Sequence, residues 1–79
     1  MSIGDYMDIF SERLKEMRTK RELTQQQLAD LIEVSRHTVI NYEVGRRMPD
    51  LEILKNLCEK LNVSSDYLLG LIDKRTNIK

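Results

Sequence analysis

The stretch from Thr24 to Gly45 most constrains the fold, because it holds two short helical patterns only a few residues apart. Thr24 is a good N-cap for the first helix, and Gln27, three residues later, completes a capping box. The apolar residues that follow recur at helical spacing, which predicts one buried face. These residues are Leu28, Ala29 and Ile32.

The second helix of this stretch follows a tight junction at Glu33, and Ser35 is its predicted N-cap. Val39 and Tyr42 share one face, which is expected to point into the core. Two helices joined by three or four residues must cross steeply to share a small core. The outer face of the second helix then projects as a ridge about as wide as a DNA major groove.

Three further amphipathic patterns complete an all-α fold of five helices, with no strand pattern and no repeat. The first helix is expected to be capped by Asp8 and to end near Arg21, with a stripe of Met7, Phe10, Leu14 and Met17. The fourth is expected to be capped by Asp50, with a stripe of Leu51, Leu54, Leu57, Cys58 and Leu61. The fifth is expected to pack through Tyr67, Leu68, Leu69 and Leu71 and to end at Gly70.

The length of 79 residues suits one domain with one modest core. We expect residues 1–79 to form that domain, with an ordered core at about 8–72 and flexible ends. No apolar run approaches a membrane span and no secretory leader is evident, so a cytoplasmic protein is expected. Because the net charge is zero, any DNA binding must depend on local patches.

The residue types that support catalysis or metal binding are sparse. His37 is the only histidine and Cys58 the only cysteine, so a metal site with several such ligands at set spacing is not evident. No base stands beside a serine or cysteine nucleophile in the pattern. We therefore expect no enzyme activity, no cofactor, no metal and no small-molecule ligand, and we expect Cys58 to be a small buried hydrophobic residue.

Several short motifs in order resemble those of the lambda-repressor-like (Xre-type) helix-turn-helix transcriptional regulators, over roughly residues 9–71. They are LKEMR at 14–18, LTQ at 23–25, NYE-x-GRR-x-P at 41–49 and VSSDYLLG at 63–70. The chain departs from the family pattern at Glu22 and Glu33, where glycine is frequent. It also departs at Leu31, where a polar residue is usual.

The resemblance implies a compact five-helix domain in which helices 2 and 3 form the helix-turn-helix. It also implies a sequence-specific regulator of double-stranded DNA, most simply a repressor. Such a protein would bind a near-palindromic operator as a homodimer, with half-sites about 34 Å apart. The alternative is a protein-interaction or antitoxin-type module, which Leu31, Ile40 and the neutral charge favour.

The residue types on the outer face of the second helix suit base edges. Arg36 can pair with guanine, Asn41 with adenine, and Ile40 can meet a thymine methyl group. The alternative for these side chains is an ordinary solvated helix face. The predicted base-reading residues are Ser35, Arg36, His37, Ile40 and Asn41. The predicted phosphate contacts are Gln25, Thr38, Arg46 and Arg47.

Two further pairs carry structural expectations. In the family, an arginine of helix 1 and a glutamate at the end of helix 3 form a partly buried ion pair. The resemblance therefore implies that Arg18 pairs with Glu43, the alternative being an exposed pair of little value. Leu71 and Ile72 are candidates for the dimer interface, or else they close the core.

Overall fold

Each of the last four helices begins immediately after a side chain that caps it. The computed structural model describes the backbone of residues 3–73 and the side chains of residues 7–73. The cap residues Thr24, Ser35, Asp50 and Ser64 each accept a hydrogen bond from the backbone N–H three residues later. The helices are α1 (Ile3–Lys20), α2 (Gln25–Ile32), α3 (Arg36–Glu43), α4 (Leu51–Leu61) and α5 (Ser65–Leu68).

The all-α fold with five helices is confirmed for residues 3–73, which contain no strand. The capping box of α2 is confirmed as well, because the Gln27 side chain accepts from the Thr24 backbone N–H at 2.8 Å. The N-caps Ser35 and Asp50 are also confirmed. In this part of the chain, no helix has both the length and the apolar character needed to cross a membrane.

The start of α1 corrects the sequence-based expectation. Residues 3–8 are helical, so Asp8 lies inside α1 and is not its N-cap. The glycine at position 4 weakens a helix by only about 1 kcal/mol and does not stop it. The backbone carbonyl of Asp8 accepts a hydrogen bond from the Ser11 hydroxyl at 3.0 Å. Of the expected flexible ends on either side of residues 8–72, residues 1–2 and 74–79 lie outside the described residues.

One apolar core receives side chains from all five helices. Burial follows the predicted stripes, including the buried thiol of Cys58. The core consists of Phe10, Leu14, Met17, Leu28, Ala29, Ile32, Val39, Tyr42, Leu57, Cys58, Leu61, Val63, Tyr67 and Leu68.

Five residues predicted to lie in the apolar stripes are not in this core, and two of them, Leu54 and Leu69, are half-buried. Leu51 is 84% exposed, because the first turn of α4 extends past the packed region. Leu71 is 61% exposed, because the chain reverses at Gly70, where φ is +80°. Met7 is only half-buried near the amino end of α1. Periodicity identifies the face of a helix but not how far the core extends along it.

The turns that flank α2 keep the left-handed backbone that glycine usually supplies. Glu22 and Glu33 both have φ of +59°. At Glu33 this conformation lets the backbone N–H of Val34 donate to the Ala29 carbonyl at 3.0 Å, closing the end of α2. A left-handed non-glycine residue costs on the order of 1 kcal/mol. The turn geometry is therefore retained at both positions, and the strain is accepted.

Candidate nucleic-acid interface

The inner face of α3 is fixed by two core side chains. Val39 is fully buried and Tyr42 almost so. The ring of Tyr42 packs edge-to-face against Phe10 of α1, with ring centroids 6.4 Å apart. Burial also raises the pKa of the Tyr42 hydroxyl, an effect that Arg47 opposes and Asp50 reinforces, so the phenol stays neutral. These contacts set the rotation of α3 about its own axis.

The opposite face of α3 is open to solvent. Arg36 and His37 are exposed, while Ile40 and Asn41 are half-buried. Arg36 and Ile40 are four positions apart, as are His37 and Asn41, so each pair shares a helix face. The two pairs lie about 100° apart around the axis, on the side of α3 away from Val39 and Tyr42.

The hydroxyl groups at the start of α3 are partly occupied by capping. Ser35 Oγ accepts from the Thr38 backbone N–H at 3.1 Å and lies 2.9 Å from Thr38 Oγ1. One of the two hydroxyl hydrogens is therefore used within the pair. The other hydrogen remains available, so Ser35 and Thr38 together offer one hydroxyl donor to an external acceptor.

The charge of residues 35–47 is positive at the surface although the chain as a whole is neutral. Arg36, Arg46 and Arg47 are all exposed. The only acid in this segment is Glu43, whose side chain is 3% exposed and paired with Arg18. Because that carboxylate is buried and neutralised, the outward charges of residues 35–47 are all cationic, and the exposed acid Asp50 lies at the far end of the loop.

Arg18 and Glu43 join α1 to the end of α3. Arg18 Nε donates to Glu43 Oε2 at 2.6 Å, and Nη2 donates to Oε1 at 3.1 Å. Arg18 Nη1 also donates to the Leu23 carbonyl at 2.7 Å, which adds the turn before α2 to the same cluster. The Arg18 side chain is only 11% exposed, so this two-point pair is largely shielded from water.

Gln25, a predicted phosphate contact, begins α2 beside this ion pair. Its amide nitrogen donates to Glu43 Oε1 at 3.2 Å. The residue borders an open depression of about 590 Å³ on the surface. The depression is lined by Arg18, Thr24, Gln25, Gln26 and Arg36.

Sequence reasoning did not single out Thr24 and Gln26 as parts of this site. Thr24 was identified only as a helix cap, and the side chain of Gln26 donates to Asp30 at 2.9 Å. The sequence feature that could have indicated them is the run of glutamines at the start of α2, next to Thr24. Only the packing of α1 and α3 against that end places both residues in the depression.

The two dimer candidates have different environments. Leu71 is largely exposed, whereas Ile72 is partly buried against the core. Arg13 holds this segment, since its Nη1 donates to the carbonyls of Tyr67 at 2.6 Å and Ile72 at 2.7 Å. The Arg13 guanidinium also lies over the Tyr67 ring, 4.2 Å from its centroid. No sequence signal indicated these contacts, which span more than fifty residues.

Residues 3–73 contain no group of three or more His, Cys, Asp or Glu side chains arranged to hold a metal ion. Burial, reinforced by Glu59, raises the pKa of the Cys58 thiol, so the thiol stays protonated at neutral pH. The interface described above is built from arginine, histidine, amide, hydroxyl and apolar groups around the buried carboxylate of Glu43.

A helix-turn-helix family model, HTH_3, matches residues 14–68, which include the last seven residues of α1 and the whole of α2 to α5. The chain belongs to the helix-turn-helix family. Its fold is lambda-repressor-like.

This helix-turn-helix protein is similar to several bacterial and phage regulators. It is 46% identical over 61 residues to the uncharacterized HTH-type transcriptional regulator YqaE of Bacillus subtilis, covering 77% of this chain and 53% of that protein. It is 33% identical over 70 residues to the cryptic phage CTXphi transcriptional repressor RstR of Vibrio cholerae, covering 89% of this chain and 61% of that one. The chain thus spans between half and two thirds of the length of these relatives.

Among solved structures, the helix-turn-helix protein resembles the restriction-modification controller protein C.AhdI from Aeromonas hydrophila. The TM-score is 0.73 at 32% identity, over 78% of this chain and 94% of that one. The similarity therefore includes almost the whole of the controller protein.

Proposed function

We propose that this chain is a sequence-specific, double-stranded DNA-binding transcriptional regulator, most simply a repressor. The observation that carries the proposal is the outer surface of α3 and its following loop. Within residues 35–47 the exposed charged side chains are Arg36, Arg46 and Arg47, and the one acid, Glu43, is buried. That surface suits a polyanion even though the whole chain is neutral. Because its target is DNA, we place the protein in the cytoplasm.

The residues divide by the part of DNA that their chemistry fits. Arg36 and Asn41 suit paired donors and acceptors on guanine and adenine, and Ile40 suits a thymine methyl group. His37 and the free hydroxyl of the Ser35–Thr38 pair are further contacts at the groove. Arg46, Arg47 and Gln25 suit phosphates, which set the register of the protein without reading sequence. No catalytic step is assigned to the chain.

The salt dependence of binding tests this function. If Arg46 and Arg47 each neutralise a phosphate in both copies of a dimer, the logarithm of the binding constant should fall with the logarithm of salt concentration with a slope of about −4. Gel shifts on a site selected from random duplex DNA would measure this slope. Arg46→Ala should make the slope shallower by about two in a dimer. A slope near zero would contradict DNA binding.

A second candidate is a protein-interaction module, and one surface feature favours it. Leu31 is 42% exposed and borders a shallow depression with Leu23, Gln27 and Asp30. An apolar contact of this kind would change little with salt. The salt dependence proposed above would therefore distinguish a DNA-binding regulator from a protein-interaction module.

We further propose that the protein binds DNA as a homodimer through the segment after α5. Leu71→Ser should shift the protein toward monomer in sedimentation experiments, because it removes an exposed apolar contact. Binding to a two-half-site operator should weaken, while binding to one half-site stays unchanged. The matched control is Leu51→Ser, which alters an even more exposed leucine on α4. Loss of association in the control alone would place the interface elsewhere.

A further inference from the structure

The carboxylate of Glu43 has a second partner besides Arg18. It accepts from two nitrogens of Arg18 and from the amide nitrogen of Gln25, all within 3.2 Å. A carboxylate can only accept hydrogen bonds, so the Gln25 amide must turn its nitrogen and not its oxygen toward Glu43. The ion pair between α1 and α3 therefore also determines how the first side chain of α2 is oriented.

The orientation of Gln25 leaves one amide hydrogen for an external acceptor. The amide nitrogen carries two hydrogens, and Glu43 accepts one of them. Gln25 lines the depression that Arg36 also borders, at the amino-terminal end of α2. A glutamine held in this way has already lost much of its rotamer freedom before a ligand arrives, which lowers the entropic cost of binding.

We propose that Glu43 is a positioning residue for DNA, holding the Gln25 amide so that its second hydrogen donates to a backbone phosphate in this depression. The inference rests on the proposed function. Arg36 supplies positive charge on the α3 side of the depression, and Thr24 and Gln26 complete its wall. A single buried carboxylate thus fixes both the reading helix and a phosphate donor on the preceding helix.

A double-mutant cycle tests the proposal. Gln25→Ala removes the amide that donates to Glu43 and to the proposed phosphate. Glu43→Gln keeps the shape of the side chain but leaves only one acceptor oxygen. The charged Arg18 should outcompete Gln25 for that oxygen. Gln25→Ala alone should bind the operator about tenfold more weakly, as expected for one charge-assisted hydrogen bond, and Glu43→Gln should lose at least as much because it also weakens the pair with Arg18. The double variant should bind as weakly as Glu43→Gln alone, because the contact that Gln25→Ala removes is then already lost.

Gln26→Ala is the matched control for this cycle. Gln26 is the neighbouring glutamine in the same depression, but its amide donates to Asp30 and not to Glu43. Its effect should add to that of Glu43→Gln. If Glu43 affected only the stability of the fold, the losses of affinity from Gln25→Ala and Glu43→Gln would also add. The loss of affinity in each variant would then follow its loss of stability, which thermal unfolding of every variant would measure. Additivity at Gln25 would overturn the proposal.

Two measurements do not require a Glu43 variant. Gln25→Asn leaves the ion pair intact but shortens the reach of the amide, so it should lose about as much affinity as Gln25→Ala. In the free protein, the Gln25 side-chain amide protons should exchange more slowly in NMR spectra than those of an exposed glutamine. Equal exchange, or wild-type affinity of Gln25→Asn, would overturn the proposal. If the Gln25 amide protons exchanged slowly but the protein showed no salt-dependent DNA binding, the proposed function would be wrong. The orientation of Gln25 by Glu43 would still stand.

Discussion

Glu43→Leu is expected to lower the free energy of unfolding by about 3–5 kcal/mol. The change leaves the guanidinium of Arg18 almost buried, at 11% exposure, without its carboxylate partner. It also removes the acceptor that joins α1, α2 and α3. Because small domains are stable by about 5–15 kcal/mol, this loss is a large share of the total. Urea denaturation followed by circular dichroism would measure it.

The double variant Arg18→Met with Glu43→Leu separates the ion pair from simple packing. Replacing both charges by apolar groups of similar volume is often nearly neutral, so the double variant should recover most of the lost stability. Asp73→Ala removes the acid from the exposed pair with Arg13 and should change stability little. If Glu43→Leu alone cost less than about 1 kcal/mol, the pair would be acting as an ordinary surface ion pair.

Arg36→Ala and Asn41→Ala are each expected to reduce the preference for the operator over random DNA by about 1–3 kcal/mol, which is roughly fivefold to 150-fold. The physical reason is that each side chain can make two hydrogen bonds to one base edge from the outer face of α3. Competition gel shifts with operator and non-operator duplexes would measure the ratio of affinities. The absolute affinity for random DNA should change less than that for the operator.

Arg46→Ala is the control for base reading. This arginine lies in the exposed loop after α3, at a position suited to phosphate, so its loss should weaken binding to all sequences alike. If Arg36→Ala, Asn41→Ala and Arg46→Ala all weakened every duplex equally, none of the three would be reading bases. The proposal of sequence-specific recognition would then have to be withdrawn.

Local sequence signals predicted most of the helices well. Thr24, Ser35 and Asp50 cap α2, α3 and α4 as expected, and α1 ends at Lys20, one residue before the predicted end. Caps and helical periodicity act between residues three or four apart, so they can be recognised in the sequence. The start of α1 was missed because Asp8 can cap a helix but does so only if the chain before it is not helical.

The candidate site could be predicted only in part. The inward orientation of Val39 and Tyr42 followed from their spacing, and the outer face of α3 followed with it. The pairing of Arg18 with Glu43 came from family resemblance, since nothing local connects residues 25 positions apart. The hydrogen bond of Gln25 to Glu43 was not foreseen, because Gln25 was assigned to phosphate without a partner in the protein.

The sequence by itself determined the family of the chain, the extents of α2 to α4 and the side of α3 that faces outward, because all of these depend on short-range caps and spacing. Only the tertiary structure decided which apolar residues lie beyond the core, as Leu51 and Leu71 do. It also decided which polar side chains share a partner, as Arg18 and Gln25 share Glu43. Such contacts depend on how rigid helices pack across long stretches of sequence, and no local pattern encodes that arrangement.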